Sequence, residues 1–122
     1  MFRNFSAFAA VSAALLATGP ATAQDEVLTV VNRTGYTIAQ LYISPNDTNN
    51  WEEDLLGWNT LLDEGQYRID FSRSANTCWW DMKIVYELDE EEVEWSNLNF
   101  CELSRIEVYY DEGSGETSIR TN

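Results

Sequence analysis

The chain has 122 residues, of which 21 are acidic, seven are basic and none is histidine, and its formal net charge is −14. Binding to nucleic acid or to an anionic membrane needs clustered lysine and arginine, so this charge argues against both kinds of partner. Catalysis or metal binding by imidazole is excluded, because there is no histidine. An aromatic content of 13% nevertheless indicates a packed core.

The first residues have the layout of a secretory signal peptide. Arg3 precedes an apolar run over residues 8–17, and a Gly-Pro pair and the small-residue site Ala21-Thr22-Ala23 follow it. The apolar run is too short to span a bilayer. We predict that residues 1–23 are cleaved and that residues 24–122 form a single domain without a membrane anchor, in the periplasm or outside the cell.

The rest of the chain alternates between apolar and polar residues with period two, as strands with one buried face do. Short segments of this kind, separated by regularly spaced turns, are typical of a β-sandwich. We therefore predict an antiparallel β-sandwich of about seven short strands, with a single helical turn near residues 51–56. The predicted strands are residues 26–32, 36–44, 66–71, 78–88, 92–101, 105–110 and 116–121.

Cys78 and Cys101 are the only cysteines, and an exported chain meets an oxidising environment, so we expect a disulfide between them. A hairpin turn centred between Asp89 and Glu90 places the two cysteines opposite each other, at the closeness that a cross-strand disulfide requires. In the chain-entropy model this bond stabilises the fold by about 3 kcal/mol. The acidic residues 89–94 are predicted to be a charged tip that prevents pairing with neighbouring chains.

The same register divides the tryptophans between the two faces of the hairpin. Trp80 and Trp95 point to the core, whereas Trp79 points outward and lies opposite Phe100. An exposed aromatic strip is a platform for a sugar ring or a protein partner, and burial under a second sheet edge is the alternative. Trp51 and Trp58 lie in the long stretch between the second and third predicted strands, and they are also candidates for a cover over one end of the sandwich. The predicted ligand face consists of Trp79, Phe100, Trp51 and Trp58.

The connection over residues 44–65 contains six acidic residues, two tryptophans and no basic residue. Calcium prefers six to eight oxygen ligands, and this loop offers several. The EF-hand pattern fails here, because no glycine occupies its sixth position. A calcium-dependent binding module is therefore a second hypothesis, and a solvated loop is its alternative. The predicted calcium ligands are Asp47, Glu52, Glu53 and Asp54.

Enzymatic chemistry is the third hypothesis. Both thiols are assigned to the disulfide, and the chain has no phosphate-binding loop. Two carboxylates such as Asp54 and Asp81 can hydrolyse a glycoside, but a sandwich of this size rarely offers a deep cleft. We therefore predict a non-enzymatic binding or interaction module that has no cofactor and that binds a protein or a carbohydrate.

Several short motifs occur along the chain: N-x-T-G from Asn32, L-Y-x-S-P from Leu41, W-x-x-D-x-L-G from Trp51 and C-x-W-D from Cys78, followed by Cys101. This set resembles the motifs of a group of small exported bacterial proteins of unknown function. The resemblance implies a β-sandwich and offers no catalytic residues, and Glu52 departs from the pattern where similar chains often carry glycine. Some similar chains bear the name argininosuccinate lyase. That enzyme is a large helical protein, so the name is an error for a small strand-rich chain.

Overall fold

Seven strands lie where the sequence predicts them, and each begins and ends within two residues of its predicted bounds. The computed structural model describes residues 27–46, 48, 50–70 and 77–122, so the predicted signal peptide lies outside the described residues. No helix that could cross a membrane occurs in this part of the chain. Residues 55–58 form a turn, so the predicted helical turn is wrong. The strands are β1 (Val27–Arg33), β2 (Ile38–Pro45), β3 (Gln66–Asp70), β4 (Trp79–Tyr86), β5 (Glu92–Asn99), β6 (Arg105–Asp111) and β7 (Glu116–Thr121).

The strands form two sheets, which confirms the predicted β-sandwich. One sheet has the order β3-β1-β6-β7 and the other has the order β2-β4-β5. All neighbours are antiparallel except β1 and β6, which are parallel. The predicted sandwich is antiparallel throughout, so this parallel pair is an exception to the prediction. A parallel pair needs a long crossover connection, and here the chain builds the whole three-stranded sheet and β3 between β1 and β6.

The core lies between the two sheets and is filled by the inward residue of each alternating pair. Burial of this apolar surface is the main favourable contribution to folding. The two ends of the sandwich differ, because one carries the disulfide and the other carries the turns after β1, β4 and β6. The buried cluster consists of Leu28, Val30, Ile38, Leu41, Leu56, Leu61, Ile69, Trp80, Met82, Ile84, Tyr86, Phe100, Ile106 and Val108.

The hairpin of β4 and β5 has the predicted faces over most of its length but not the predicted partners. Ile84 pairs with Val93 and Met82 pairs with Trp95, whereas the sequence-based register joins Ile84 to Trp95. The offset there is two residues, so these side chains keep their predicted face, since facing alternates with period two. An irregularity between Trp80 and Met82 then adds one residue to β5, which reverses the facing of the β5 residues nearest the cysteines.

The predicted disulfide between Cys78 and Cys101 is present, and the Cα atoms of the two cysteines lie 5.2 Å apart. Each cysteine lies just beyond its strand, and the amide of Phe100 donates to the carbonyl of Cys78 over 2.8 Å. The bond therefore closes the hairpin at the end opposite its turn.

The long connection between β2 and β3 covers the free edge of β2. The amide of Leu41 donates to Oδ1 of Asp54 over 2.9 Å, and the carbonyl of Leu41 accepts from the amide of Leu55 over 2.8 Å. Further along the edge, Ile38 and Leu61 exchange two backbone hydrogen bonds. An unpaired edge is a site for aggregation, so this acidic connection protects the sheet.

Asn32 is a fully buried polar residue whose hydrogen-bonding capacity is satisfied. Its Nδ2 donates to the carbonyls of Tyr36 and Leu61, over 2.8 and 2.9 Å. Its Oδ1 accepts from the amide and the hydroxyl of Thr34, over 3.0 and 2.7 Å. The N-x-T-G motif thus joins β1, the following turn and the end of the long connection, because a buried amide must find partners.

Candidate functional site

The predicted aromatic ligand face is wrong at Phe100. Its side chain is 0% exposed and stacks on Trp80, with ring centroids 5.6 Å apart and planes inclined by 8°. The pairing irregularity adds one residue to β5 between Trp95 and Leu98, so Leu98 and then Phe100 face the core. Trp79 is 46% exposed, but it does not share a platform with Phe100.

Trp51 packs against the outer side of the three-stranded sheet. Its ring lies 6.4 Å from the ring of Tyr42, and Nζ of Lys83 lies 5.1 Å from its centroid and 4.8 Å from that of Tyr42. Lys83 is therefore held between two aromatic rings, which is a cation–π arrangement. Because Lys83 and Tyr42 belong to the sheet and Trp51 belongs to the loop, these contacts anchor the loop on the sheet.

Trp58 is fully exposed and lies beside the edge of β2, between the segments that Leu55 and Leu61 bond to that edge. Trp79 begins β4 at the disulfide end. Leu56 is buried, so the predicted cover over the core includes this leucine but not Trp58. The four residues of the predicted ligand face thus occupy separate places and do not form one surface.

The predicted calcium ligands are only partly described, since Asp47 lies outside the described residues. Glu52 and Glu53 are exposed, and Glu52 has a positive φ of 56°. Asp54 uses Oδ1 to accept from the amides of Leu41 and Leu56, over 2.9 and 3.0 Å. Within the described ranges, no group of three or more acidic or cysteine side chains is placed to hold a metal ion.

The carboxylates named for hydrolysis also have structural partners. Asp54 binds backbone amides of β2 and of the loop, and Oδ1 of Asp81 accepts from the amide of Asn97 over 3.0 Å. Each carboxylate fixes a local backbone conformation. Neither lies in the recess described next.

Three tyrosines meet at the end of the sandwich opposite the disulfide. Tyr36 follows β1, Tyr86 ends β4 and Tyr110 lies in β6, so the group bridges the two sheets. A recess of about 150 Å³ opens here, which we call the tyrosine pocket. It is lined by Tyr36, Tyr86, Leu88, Asp89, Glu91 and Tyr110.

The three rings pack edge to face. The centroid of Tyr36 lies 5.4 Å from that of Tyr110 and 6.3 Å from that of Tyr86, and Tyr86 and Tyr110 are 6.2 Å apart. The interplanar angles range from 76° to 88°. Such T-shaped contacts are favoured by the ring quadrupoles, so the cluster is rigid as well as apolar.

Two of the three phenol hydroxyls have partners outside the pocket. Oη of Tyr36 donates to Oε2 of Glu112 over 2.7 Å, and Oη of Tyr86 pairs with the hydroxyl of Thr117 over 2.7 Å. The hydrogen bond to Glu112 raises the pKa of Tyr36 above its ordinary value. Burial raises the pKa of Tyr86. Both phenols are therefore neutral at physiological pH, and their orientation is fixed.

The rim of the tyrosine pocket is acidic. Asp89 and Glu91 are part of the lining, and Glu112 is bonded to Tyr36. Oδ1 of Asp89 accepts from the amide of Glu91 over 3.1 Å, which holds the turn of the hairpin. Leu88 is 79% exposed at the same rim. Aromatic walls, an acidic rim and an exposed apolar side chain thus converge at one place.

The tyrosine pocket has no clear signal in the sequence. Tyr36 lies in the turn after β1, Tyr86 in β4 and Tyr110 in β6, so the three tyrosines share no local motif, and only the sandwich topology brings them together. The acidic tip at residues 89–94 is the one feature that marks the site in the sequence. From the sequence alone, this tip is predicted to be only a charged turn. In the structure, Asp89 and Glu91 also line the tyrosine pocket.

Two other recesses have less convergent chemistry. One of about 440 Å³ lies on the outer side of the three-stranded sheet, where Tyr86 is the single aromatic residue among aliphatic, glutamine and glutamate side chains. Another of about 180 Å³ lies beside Arg105, Glu107 and Arg120. There Glu107 already pairs with Arg105, with Nε 3.0 Å from Oε2.

Comparison with known proteins leaves these geometric features as the basis for any functional assignment. The chain matches no protein-family model and no curated protein sequence.

Proposed function

We propose that this protein is a non-enzymatic, exported binding module that engages a positively charged group of its ligand or partner at the tyrosine pocket. The observation that supports this function most directly is the convergence of three tyrosine rings and two carboxylates on one recess. Pockets at the mouths of β-sheet structures with a few convergent polar groups are typical binding sites.

The charge of the site supports a cationic ligand. The lining contains Asp89 and Glu91 and no basic residue, and the whole chain has a net charge of −14. A field of this sign concentrates cations near the surface and accelerates their association. Aromatic faces add cation–π attraction once the ligand has arrived.

The size of the pocket limits what enters it. Sites that enclose whole small-molecule ligands have volumes of about 300–1,000 Å³. The tyrosine pocket has about 150 Å³, so it accommodates a headgroup or the tip of a side chain rather than a complete large ligand. The rest of the ligand contacts the rim, where Leu88 is exposed.

The disulfide is in keeping with export. Cys78 and Cys101 form a structural bond that persists in oxidising compartments, and the N-terminal sequence has the pattern of a signal peptide. We propose that the mature protein resides in the periplasm or outside the cell, and the disulfide and the N-terminal pattern support this location.

A panel of small organic cations tests the proposed function. The oxidised chain is titrated with butylammonium, butylguanidinium and choline, and the ring signals of Tyr36, Tyr86 and Tyr110 are followed by NMR. Saturable shifts of these signals with at least one cation support the function. If no cation in the panel moves them at low salt, the function is wrong.

A matched pair of variants separates the pocket from general attraction to an acidic protein. Glu91→Gln removes a carboxylate from the pocket lining, whereas Glu94→Gln removes one that faces Lys83 across the hairpin. Both changes alter the net charge equally. The proposed function requires weaker binding in the first variant and unchanged binding in the second, and equal weakening contradicts it.

A further inference from the structure

We infer that the group recognised by the tyrosine pocket is a methylated ammonium, such as the trimethylammonium of choline, in preference to a primary ammonium. This inference rests on the proposed function and names the chemical class of its ligand. It follows from which polar atoms of the pocket are already paired, and from the size and composition of the walls.

A primary ammonium carries three N–H donors and is strongly hydrated. The free-energy cost of removing its water is low only where acceptors in the site replace that water. In the tyrosine pocket, the hydroxyls of Tyr36 and Tyr86 are paired with Glu112 and Thr117. Oδ1 of Asp89 accepts from the amide of Glu91. The other carboxylate oxygens of Asp89 and Glu91 are acceptors at the rim, so a primary ammonium that packs against the rings cannot direct all three donors to them, and each donor left without a partner costs about 1–3 kcal/mol.

A quaternary ammonium avoids this cost, because its methyl groups present positive charge without any N–H donor. It needs apolar and aromatic contact together with a negative field. Tyr36, Tyr86 and Tyr110 supply the rings, and the carboxylates of Asp89 and Glu91 supply the field from the rim. Recognition of quaternary and methylated ammonium groups by aromatic cages is the principal functional use of cation–π attraction.

The rigidity of the ring cluster favours the same class of ligand. Each ring contacts the other two at right angles or nearly so, and two of the hydroxyls are fixed by hydrogen bonds at 2.7 Å. Rings that are already held in place lose little conformational entropy when a ligand packs against them, so weak contacts add up to measurable affinity.

Three small ligands that share a hydroxyethyl group test the inference on the oxidised chain. Choline carries the trimethylammonium group, ethanolamine carries a primary ammonium, and the neutral isostere of choline has carbon in place of nitrogen. We expect choline to bind about tenfold more tightly than ethanolamine. The neutral isostere should not saturate the site.

Each other outcome is decisive. If ethanolamine binds as tightly as choline, the methylated class is wrong and the proposed cation-binding function stands. If the neutral isostere binds as tightly as choline, the pocket is merely apolar and both proposals are wrong. If none of the three ligands nor any other cation of the panel shifts the tyrosine signals, both are also wrong.

Variants of Tyr110 supply a control for the role of the rings. Tyr110 is partly exposed, so its replacement is tolerated better than that of the buried Tyr86. Tyr110→Phe retains the aromatic face and should retain the preference for choline over ethanolamine. Tyr110→Leu keeps apolar bulk without the face and should abolish that preference. Retention of the full preference in Tyr110→Leu overturns the inference, provided that the thermal midpoint matches that of Tyr110→Phe.

Discussion

The ring of Tyr36 lies edge-on to the ring of Tyr110, with centroids 5.4 Å apart and planes at 88°. The two residues are distant in the chain, and they meet because the turn after β1 folds over the end of β6. With Tyr86 from the opposite sheet they make an aromatic cluster at the mouth of an acidic sandwich. The proposed function depends on this meeting of one turn and two strands.

Asn32→Asp tests the buried hub of the N-x-T-G motif. The substitution replaces a donor that faces the carbonyls of Tyr36 and Leu61 with a carboxylate oxygen. Two buried acceptors then face a negative charge, so we expect a loss of about 3 kcal/mol or more in the free energy of unfolding. Urea denaturation measures the loss. Asn50→Asp makes the same charge change at an exposed site, and equal losses in both variants would contradict this role.

Phe100→Ala and Trp79→Ala test the correction to the aromatic face. Phe100 is fully buried against Trp80, so its truncation should cost about 3–5 kcal/mol in unfolding free energy. Trp79 is half-exposed, and its truncation should cost about 1 kcal/mol. Chemical denaturation of both variants gives the comparison. A larger loss for Trp79→Ala would show that the sides of the hairpin are assigned wrongly.

These two residues also show what the sequence could and could not predict. Period-two alternation predicts all seven strands and the inward side of β4, because one face of each strand must be buried. The partner of each residue depends on where the hairpin turn lies and on the irregularity between Trp80 and Met82, and neither has a clear sequence signal. The extra residue that this irregularity places in β5 reverses the facing of the residues after it, so Phe100 faces the core.

The tyrosine pocket could not be predicted for a different reason. Tyr36, Tyr86 and Tyr110 each satisfy the alternation of their own segment, and nothing local sets them apart from Tyr42 or Tyr67. Their meeting depends on the order of strands in two sheets, including the parallel pair of β1 and β6. By contrast, the disulfide is predictable, because two cysteines allow a single pairing within the chain.

Glu107 predicts an acid-dependent loss of stability. Its pKa is lowered to about 2 by the hydrogen bond from Tyr109 and then by that from Arg105. Because the pKa is lower in the folded state, this contribution is present above the ordinary value of 4.5 and declines as the pH falls towards 2. Thermal midpoints measured between pH 5 and pH 2 should therefore fall less steeply in Glu107→Gln. Parallel curves for both proteins would refute this assignment.

Asp54 tests whether the acidic loop is structural or binds calcium. Oδ1 accepts from the amides of Leu41 and Leu56, so Asp54→Asn keeps an acceptor and should change the thermal midpoint little. Asp54→Ala loses both bonds and should cost about 1–3 kcal/mol. Millimolar calcium should leave the midpoint of the unaltered chain in place. A rise of about ten degrees, absent with magnesium and lost in Asp54→Asn, would instead support a calcium site.

The most direct test of the account is a measurement of nuclear Overhauser contacts between the N-methyl protons of choline and the aromatic rings of the oxidised chain. The account predicts contacts to the rings of Tyr36 and Tyr110, at the mouth of the tyrosine pocket. Contacts to Trp58 or Trp79 instead would place the ligand on the exposed tryptophans and contradict it. The absence of any contact at saturating choline would contradict it equally.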